Sequence, residues 1–354
     1  MALDTKFWSD QRVLVTGHTG FKGAWLSLLL SKLNASISGY ALQDAPTNPN
    51  LFESAELSHI FSNDTRANIL DLTPLKRALD EFQPTILFHM AAQSLVLESY
   101  RSPIDTYQVN VMGTANVLEA ARTIPSLKAV VIVTTDKCYK NTESNLAYSE
   151  NDLLGGYDPY SNSKACAELV TDSYRSSFFS TDSNTKIATA RAGNVIGGGD
   201  WAANRLLPDC FRAFSSETPL ELRHPTAIRP WQHVLEPLYG YLLLAEKLSN
   251  KIEGADSAWN FGPAASNELE TQHVVELAKS AWGSGQVLKH TDQEAPVETK
   301  VLRLNSSKAI QQLGWSPRWS AEQAIEKTMS WFRATHEGAN YRHESERQIA
   351  EYLA

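Results

Sequence analysis

The sequence predicts an α/β protein: a Rossmann-type, doubly wound parallel sheet with a smaller mixed α/β lobe that binds substrate. Three observations predict it. Apolar, non-alternating strand segments alternate with helical segments between residues 12 and 191, the pattern of a parallel sheet covered on both faces. The first strand runs directly into a glycine turn that opens a helix, as in a dinucleotide-binding unit. After Gly193 the texture turns glycine-rich and mixed, as a second lobe would.

In chain order, Arg12–Thr16 (RVLVT) reads as a buried strand, and the seventeen residues from Gly17 as a tight turn running into a helix. Ile37–Leu42 reads as the second strand and Thr65–Ile69 as a weaker third. Pro74–Phe82 is a helix and Thr85–His89 the fourth strand. Ser102–Arg122 reads as one long helix, Ala129–Thr134 as the fifth strand, Tyr160–Phe179 as a helix and Lys186–Arg191 as the sixth strand. Beyond it, Asn204–Glu221 mixes helix and loop signals. Leu235–Leu248 and Ala321–Arg333 look helical, the latter with Ile325, Met329 and Trp331 or Phe332 on its apolar side. We expect residues 1–193 to form the dinucleotide-binding domain, with segments near 225–255 returning to it. Residues 194–354 should form a lobe closing over the carboxyl edge of the sheet.

Composition limits the function. The 354 residues are 42% hydrophobic and 20% charged, enough for a large core, and the net charge is -8. With no basic excess to neutralise phosphates, nucleic-acid binding is not expected. The N-terminus is mixed and polar rather than a signal peptide. The apolar run Ala24–Leu30 is too short for a bilayer, so no membrane association is expected. Cys138, Cys166 and Cys210 form no CxxC pair, which fits a reducing compartment. His89, His224 and His233 lack metal-ligand spacing, and no metal is expected.

Gly17, Gly20 and Gly23 make GxxGxxG at a strand–turn–helix junction. The first glycine permits the turn, the second lets backbone N–H groups approach a pyrophosphate, and the third allows the helix to pack on the strand. The helix N-terminus then faces the anion with unpaired donors and the positive end of its dipole. Asp71 in ILDL is placed to contact adenine, and Ala91 and Ala92 leave room for the cofactor backbone. At the end of the second strand (SGYALQD), Ala41 or Leu42 stands where a ribose-binding acid usually sits, and Asp44 lies just beyond. No arginine in that stretch would receive a 2′-phosphate, so NAD is expected rather than NADP.

Tyr160 and Lys164 form YxxxK one helical turn apart and share a face. A neighbouring ammonium favours the ionised phenol, which makes Tyr160 a base. Thr135, at the end of the fifth strand, completes a Thr/Tyr/Lys set on a carbonyl or alcohol oxygen. Asp136 and Lys137 follow at the carboxyl end of the same strand, where such folds place their chemistry. Hydride transfer alone needs neither, so the pair implies a second proton-transfer task. The plainer alternative is a turn cap at Asp136 and a surface charge at Lys137. In the second half, Arg205 and Arg229 suit a diphosphate because a guanidinium forms paired, charge-assisted bonds. Asn194 suits the sugar or diphosphate. Trp201, Trp231 and Trp259 either stack on a base or pack the lobe.

These stretches together resemble one family. GHTGFKGAWLS, FHMAAQ, NVMGTANVLEA, TTDKCY, GGYDPYSNSKACAELV, RAGNVIGGGDW, RPWQHVLEPL, WNFGP and LGWSPRW are similar, essentially end to end, to the CDP-glucose 4,6-dehydratases of the extended short-chain dehydrogenase/reductase superfamily. The glycine loop and YxxxK are shared across the superfamily. GHTGFKG, the Asp136–Lys137 pair, GGYDPYSNSK and RAGNVIGGGDW are more specific. The resemblance implies a nucleotide-sugar substrate in the second lobe, NAD recycled within one turnover, and homo-oligomers built on a dimer. It also implies a cytoplasmic lyase of deoxysugar biosynthesis of the lipopolysaccharide O-antigen kind. On the residues, it implies cofactor contacts from Thr19, Phe21, Lys22, Leu72, Gln93, Asn110 and Thr134 beside those above. Substrate contacts would come from Gln93, Trp201, Leu206 and Asn260. Two positions depart from the family: Leu97 stands where a basic residue is usual, and Asn305 where Asp is usual.

The expected reaction is dehydration of CDP-glucose to CDP-4-keto-6-deoxyglucose, by oxidation at C4, elimination across C5–C6 and hydride return to C6. The alternatives are another sugar-nucleotide 4,6-dehydratase, a nucleotide-sugar 4-epimerase, which needs no acid/base pair at 136–137, and a non-catalytic cofactor-binding protein, for which Tyr160 and Lys164 would be dispensable.

Overall fold

A computed structural model describes residues 3–141, 147–179, 183–222, 225–263, 268–289 and 302–354. Seven parallel strands form the central sheet: β1 (Arg12–Thr16), β2 (Ser36–Ala41), β3 (Phe61–Arg66), β4 (Ile86–His89), β5 (Ala129–Val133), β6 (Lys186–Arg191) and β7 (Ala258–Asn260), in the order β7-β6-β5-β4-β1-β2-β3. The order reverses between β1 and β4, the crevice where open α/β sheets bind ligands.

Alternate strand residues feed two cores. Val13, Val15, Ile86, Phe88, Val131 and Val133 point to one face, where Phe21–Lys32 and Leu235–Ser249 pack. Leu14, Leu87, Val130 and Ile132 point to the other, against Leu72–Phe82, Gly113–Ala121 and Pro159–Phe178. A period of two applied to apolar residues on both faces gives the unbroken apolar runs seen in the sequence. The first core continues into the second half, through Leu207, Phe214, Val274, Ile325, Met329, Trp331 and Phe332. There Leu206–Ser215, Thr271–Trp282 and Ala321–His336 pack together beside three two-stranded ladders.

Four features differ from the sequence expectation. The third strand lies at 61–66, four residues early, and its sequence FSNDTR is largely exposed. It is the sheet edge, where polar side chains blunt the strand, so its apolar signal is missing. The expected helix 102–122 carries a π turn at Gln108–Met112 between Pro103–Tyr107 and Gly113–Ala121. The last strand of the sheet comes from 258–260, well beyond residue 193. A terminal helix, Tyr341–Leu353, packs back on Phe21–Lys32, which no local periodicity had indicated.

Candidate active site

The site is built at the carboxyl ends of β1, β4, β5 and β6. Gly17 follows β1 with φ +74°, and its N–H donates to the Tyr40 carbonyl at 2.8 Å. A Cβ there would stand 2.7 Å from the Ala91 nitrogen, so this turn passes hard against the loop after β4. A Cβ at Gly23 would stand 2.2 Å from the Gly17 carbonyl oxygen, which is the close helix–turn packing its spacing implies. Gly20 caps Phe21–Lys32 with no side-chain bond, leaving the first N–H groups of that helix for an anion. Thr19 is buried, Phe21 and Lys22 half-buried, at this end. Asp71 and Leu72 stand at the start of Leu72–Phe82, and burial, then the nearby Asp71 charge, raises the Tyr40 phenol. These features fit a dinucleotide laid over the turn.

The end of β2 differs from its sequence reading. Ala41 is in register with Arg66 of β3, so an arginine does stand there. Its guanidinium is held by Asp64, with Arg66 Nη2 donating to Asp64 Oδ2 at 2.8 Å, and it stacks over Phe52.

The loop after β4 is tied down by its own side chains. Asn110 accepts from the Gln93 N–H at 2.9 Å and donates to the Gln93 carbonyl and to Ser163. The Gln93 side chain bonds Leu95 and Thr106. Both residues adjoin the crevice, but the protein itself takes up their polar groups. Ala92 lies half-buried between Ala91 and Gln93. Beneath, Thr16 Oγ1 and His89 Nδ1 are 2.8 Å apart, and burial beside Lys164 holds His89 down at about 3, hence neutral.

Thr135, Asp136 and Tyr160 lie together, and Lys164 follows one turn along the helix that carries Tyr160. Thr135 Oγ1 donates to Asp136 Oδ1 at 2.9 Å and caps the turn Asp136–Cys138. Asp136 is fully buried; its Oδ2 has no hydrogen-bond partner among the described residues. Lys137 is half-buried, with Nζ 3.9 Å from Asp136 Oδ1. Tyr160 lies against the Thr135 hydroxyl near Asp136 and Arg205, and Lys164 Nζ donates to the Val133 carbonyl at 3.3 Å. Burial lowers Lys164 to about 8 against the opposing charge of Glu168. The phenol runs counter to the expectation: burial pushes Tyr160 up to about 12, and contact with Thr135 only partly offsets this. Lys22 is held near 8 by burial and then by Arg205.

The substrate candidates divide. Arg205 Nη1 bonds Asp200 at 2.8 Å, and its charge reaches Tyr160 and Lys22, so it belongs to this cluster. Leu206 opens the helix beside it. Asn194 follows β6 with φ +47° and accepts from the Gln232 N–H. Arg229 lies on Ile228–Pro230, an edge paired antiparallel with Glu268–Glu270. Asn260 is fully buried: its Oδ1 accepts from Tyr139 at 2.7 Å and its Nδ2 donates to the Tyr148 and Asn305 carbonyls. Trp201 packs edge-on against Trp331 and Phe332, Trp259 donates to the Ala255 carbonyl, and Trp231 is buried. Asn305 ties its loop to Ser149 and Ser307, and Leu97 stands on Val96–Arg101. Among the described residues no group of His, Cys, Asp or Glu is placed to hold a metal ion; His224 lies outside them.

The sequence reading missed Glu168, Arg191 and Tyr139, a buried network under the site. The one available signal was Glu168 itself, one turn beyond Lys164 on the YxxxK face.

A model of the family described as GDP-mannose 4,6 dehydratase matches residues 14–328. The chain is 45% identical to the CDP-glucose 4,6-dehydratase of Salmonella typhimurium over 99% of both chains. Among solved structures, dTDP-glucose 4,6-dehydratase from Bacillus anthracis, in complex with NAD, superposes with a TM-score of 0.77 at 22% identity over 93% of this chain and 98% of that one. UDP-glucose 4-epimerase from Brucella ovis, also with NAD, gives 0.77 at 22% identity over 91% and 98%. At that identity the two structures establish the fold alone.

Proposed function

We propose that this chain, which belongs to the GDP-mannose 4,6 dehydratase family of extended short-chain dehydrogenase/reductases, converts CDP-glucose to CDP-4-keto-6-deoxyglucose and water using NAD. One observation carries the reading: the Asp136 carboxyl is buried on the same turn as Thr135, beside Tyr160. A 4-epimerase needs only the oxidising couple, whereas a dehydratase also needs an acid to expel the 6-hydroxyl.

The turn at Gly17, Gly20 and Gly23, with Asp71 and the Ala91–Gln93 loop, would hold NAD, which takes hydride from C4 and returns it to C6 when bound. Tyr160 removes the proton of the 4-hydroxyl as the phenolate, a form that Thr135, bonded to the same oxygen, and the Arg205 charge favour against burial, with Lys164 one helical turn along. Oxidation at C4 acidifies the C5 proton. Lys137, or a base near it, takes that proton while Asp136 protonates the departing 6-hydroxyl, which leaves as water. A proton returned to C5 completes the product. Arg205, Arg229, Asn194 and Leu206 grip the sugar nucleotide, while Gln93, Trp201 and Asn260 shape the site through their neighbours.

Three further readings accompany this one. Residues 1–193, with 235–249 and 258–260, act as the cofactor domain, and the rest as the nucleotide-sugar lobe. The protein is a homodimer: Tyr100, Ile104, Met112 and Leu169 expose apolar side chains on neighbouring helices. It works in the cytoplasm, in deoxysugar biosynthesis that feeds O-antigen; three free cysteines support a reducing compartment. No described helix is long and apolar enough to cross a membrane.

The test is incubation with a panel of NDP-glucoses, with products identified by mass and NMR. The 4-keto-6-deoxy product should form from CDP-glucose with no stoichiometric build-up of reduced nicotinamide. Reduced cofactor released in step with substrate loss would replace this reading with a plain dehydrogenase.

A further inference from the structure

Under the site runs a fully buried ion pair that the mechanism above does not use. Glu168 lies on Pro159–Phe178, the helix that carries Tyr160 and Lys164, and Arg191 ends β6. Arg191 Nη2 donates to Glu168 Oε2 at 2.7 Å, and both side chains are nearly inaccessible. Each partner has a further grip on the segment Thr134–Tyr139. Glu168 Oε1 accepts from the hydroxyl of Thr134, directly before Thr135. Arg191 Nη1 donates to the Tyr139 hydroxyl at 2.7 Å, two residues after Lys137, and Tyr139 in turn donates to Asn260 at 2.7 Å. Thr189 Oγ1 completes the carboxylate shell at 2.7 Å, and the Glu150 carbonyl takes a second bond from Arg191 at 3.0 Å.

We propose that the Glu168–Arg191 pair is a positioning device for the elimination step, gripping the segment Thr134–Tyr139 at both ends and so setting Asp136 and Lys137 against the helix that carries Tyr160. The inference rests on the dehydratase reading. Breaking a buried pair leaves an uncompensated charge, whereas a well-packed apolar pair of similar volume often serves stability as well or better. Stability alone therefore gives weak reason for an ion pair here, and its bonds lead to the two ends of the catalytic segment. Burial drives the Glu168 carboxyl up, but the Arg191 charge and the bonds from Arg191, Thr134 and Thr189 outweigh it and hold the group below the usual carboxylate range. The grip thus stays ionised throughout the neutral range. Tyr160 and Lys164 are carried by the helix backbone, whereas Asp136 and Lys137 sit on a single short turn. Loosening the clamp therefore harms elimination more than oxidation at C4.

The test uses Tyr139→Phe, which releases the distal end at little change in volume, and Glu168→Gln, which weakens both ends. Thr171→Val serves as control, since it removes a buried bond of the same helix away from the segment. Each is loaded with NAD and given CDP-glucose. We expect Tyr139→Phe to lose about 10- to 100-fold in kcat, the scale of a small misplacement of reacting groups, with KM little changed. Reduced nicotinamide should accumulate transiently, because C4 oxidation outruns elimination. Thr171→Val should lower the melting temperature without this signal. A folded Tyr139→Phe with normal kcat, or one that slows oxidation and elimination equally, overturns the inference. Failure of the wild-type chain to form 6-deoxy product overturns the dehydratase reading and this inference with it. Normal wild-type turnover alongside an equally fast variant overturns the inference alone.

Discussion

The backbone of Gly193 lies in contact with the carboxyl group of Asp136. A Cβ at Gly193 would stand 1.7 Å from Oδ2 and 2.4 Å from Oδ1, so no residue larger than glycine coexists with this carboxyl position. The motif RAGN thus provides the notch that receives the proposed acid.

Gly193→Ala should therefore displace Asp136 rather than remove it. We expect oxidation and elimination to separate: bound NAD is still reduced on adding substrate, but 6-deoxy product falls by roughly 100-fold, as for a misplaced reacting group. Stopped-flow absorbance and product NMR check this together. A folded Gly193→Ala with wild-type product formation would falsify the placement.

The two arginines should behave differently. Arg205 belongs to the Tyr160–Lys22 cluster and holds the buried Asp200, so Arg205→Ala should reduce both kcat and melting temperature. Arg229 stands on a lobe edge. Its replacement by Ala should raise KM by about 10- to 150-fold, for a charge-assisted bond of roughly 1.5–3 kcal/mol, with NAD affinity nearly intact. Steady-state kinetics and NAD titration separate the outcomes.

NAD affinity should depend on pH through Lys22. Burial and Arg205 hold this ammonium near 8 in the free protein. An anion bound beside it favours the charged form, so binding above that value takes up a proton. Affinity should be flat below about pH 8 and weaken by up to about tenfold per pH unit above it. Lys22→Met should bind NAD more weakly and remove that slope. An unchanged slope in the variant would place the titration elsewhere.

Two buried histidines should make stability fall on acidification. His89 and His233 are both held down at about 3, against an ordinary 6.5, chiefly by burial. A depressed histidine is neutral in the folded state and takes up its proton only on unfolding. Its contribution is therefore complete above pH 6.5 and is lost as pH falls towards 3, at about 1.4 kcal/mol per pH unit for each group. Urea midpoints measured from pH 7 to 5 should drop accordingly. His233→Phe, set among Trp25 and Trp319, should show the shallower dependence.

The sequence by itself determined the parallel sheet through β1, β2, β4, β5 and β6, the glycine turn and the YxxxK face. Each is a short-range property: two-residue alternation filled with apolar groups, a turn that only glycine permits, two side chains one turn apart. It also placed Thr135 and Asp136 at a strand end, because a strand's end is visible where its apolar run stops. The tertiary structure decided the rest. β3 is an edge whose pairing, not its hydrophobicity, makes it a strand, and β7 joins from 258–260 by a contact made across the lobe. Arg66 reaches the end of β2 only through that register. The Glu168–Arg191–Tyr139 network joins residues up to 52 positions apart. Asn260 looked like a ligand contact from its motif, yet its amide closes that network. The protonation of Tyr160 followed the same logic: YxxxK reports the neighbouring cation, but desolvation sums over every group packed around the phenol, and those groups come from the whole fold.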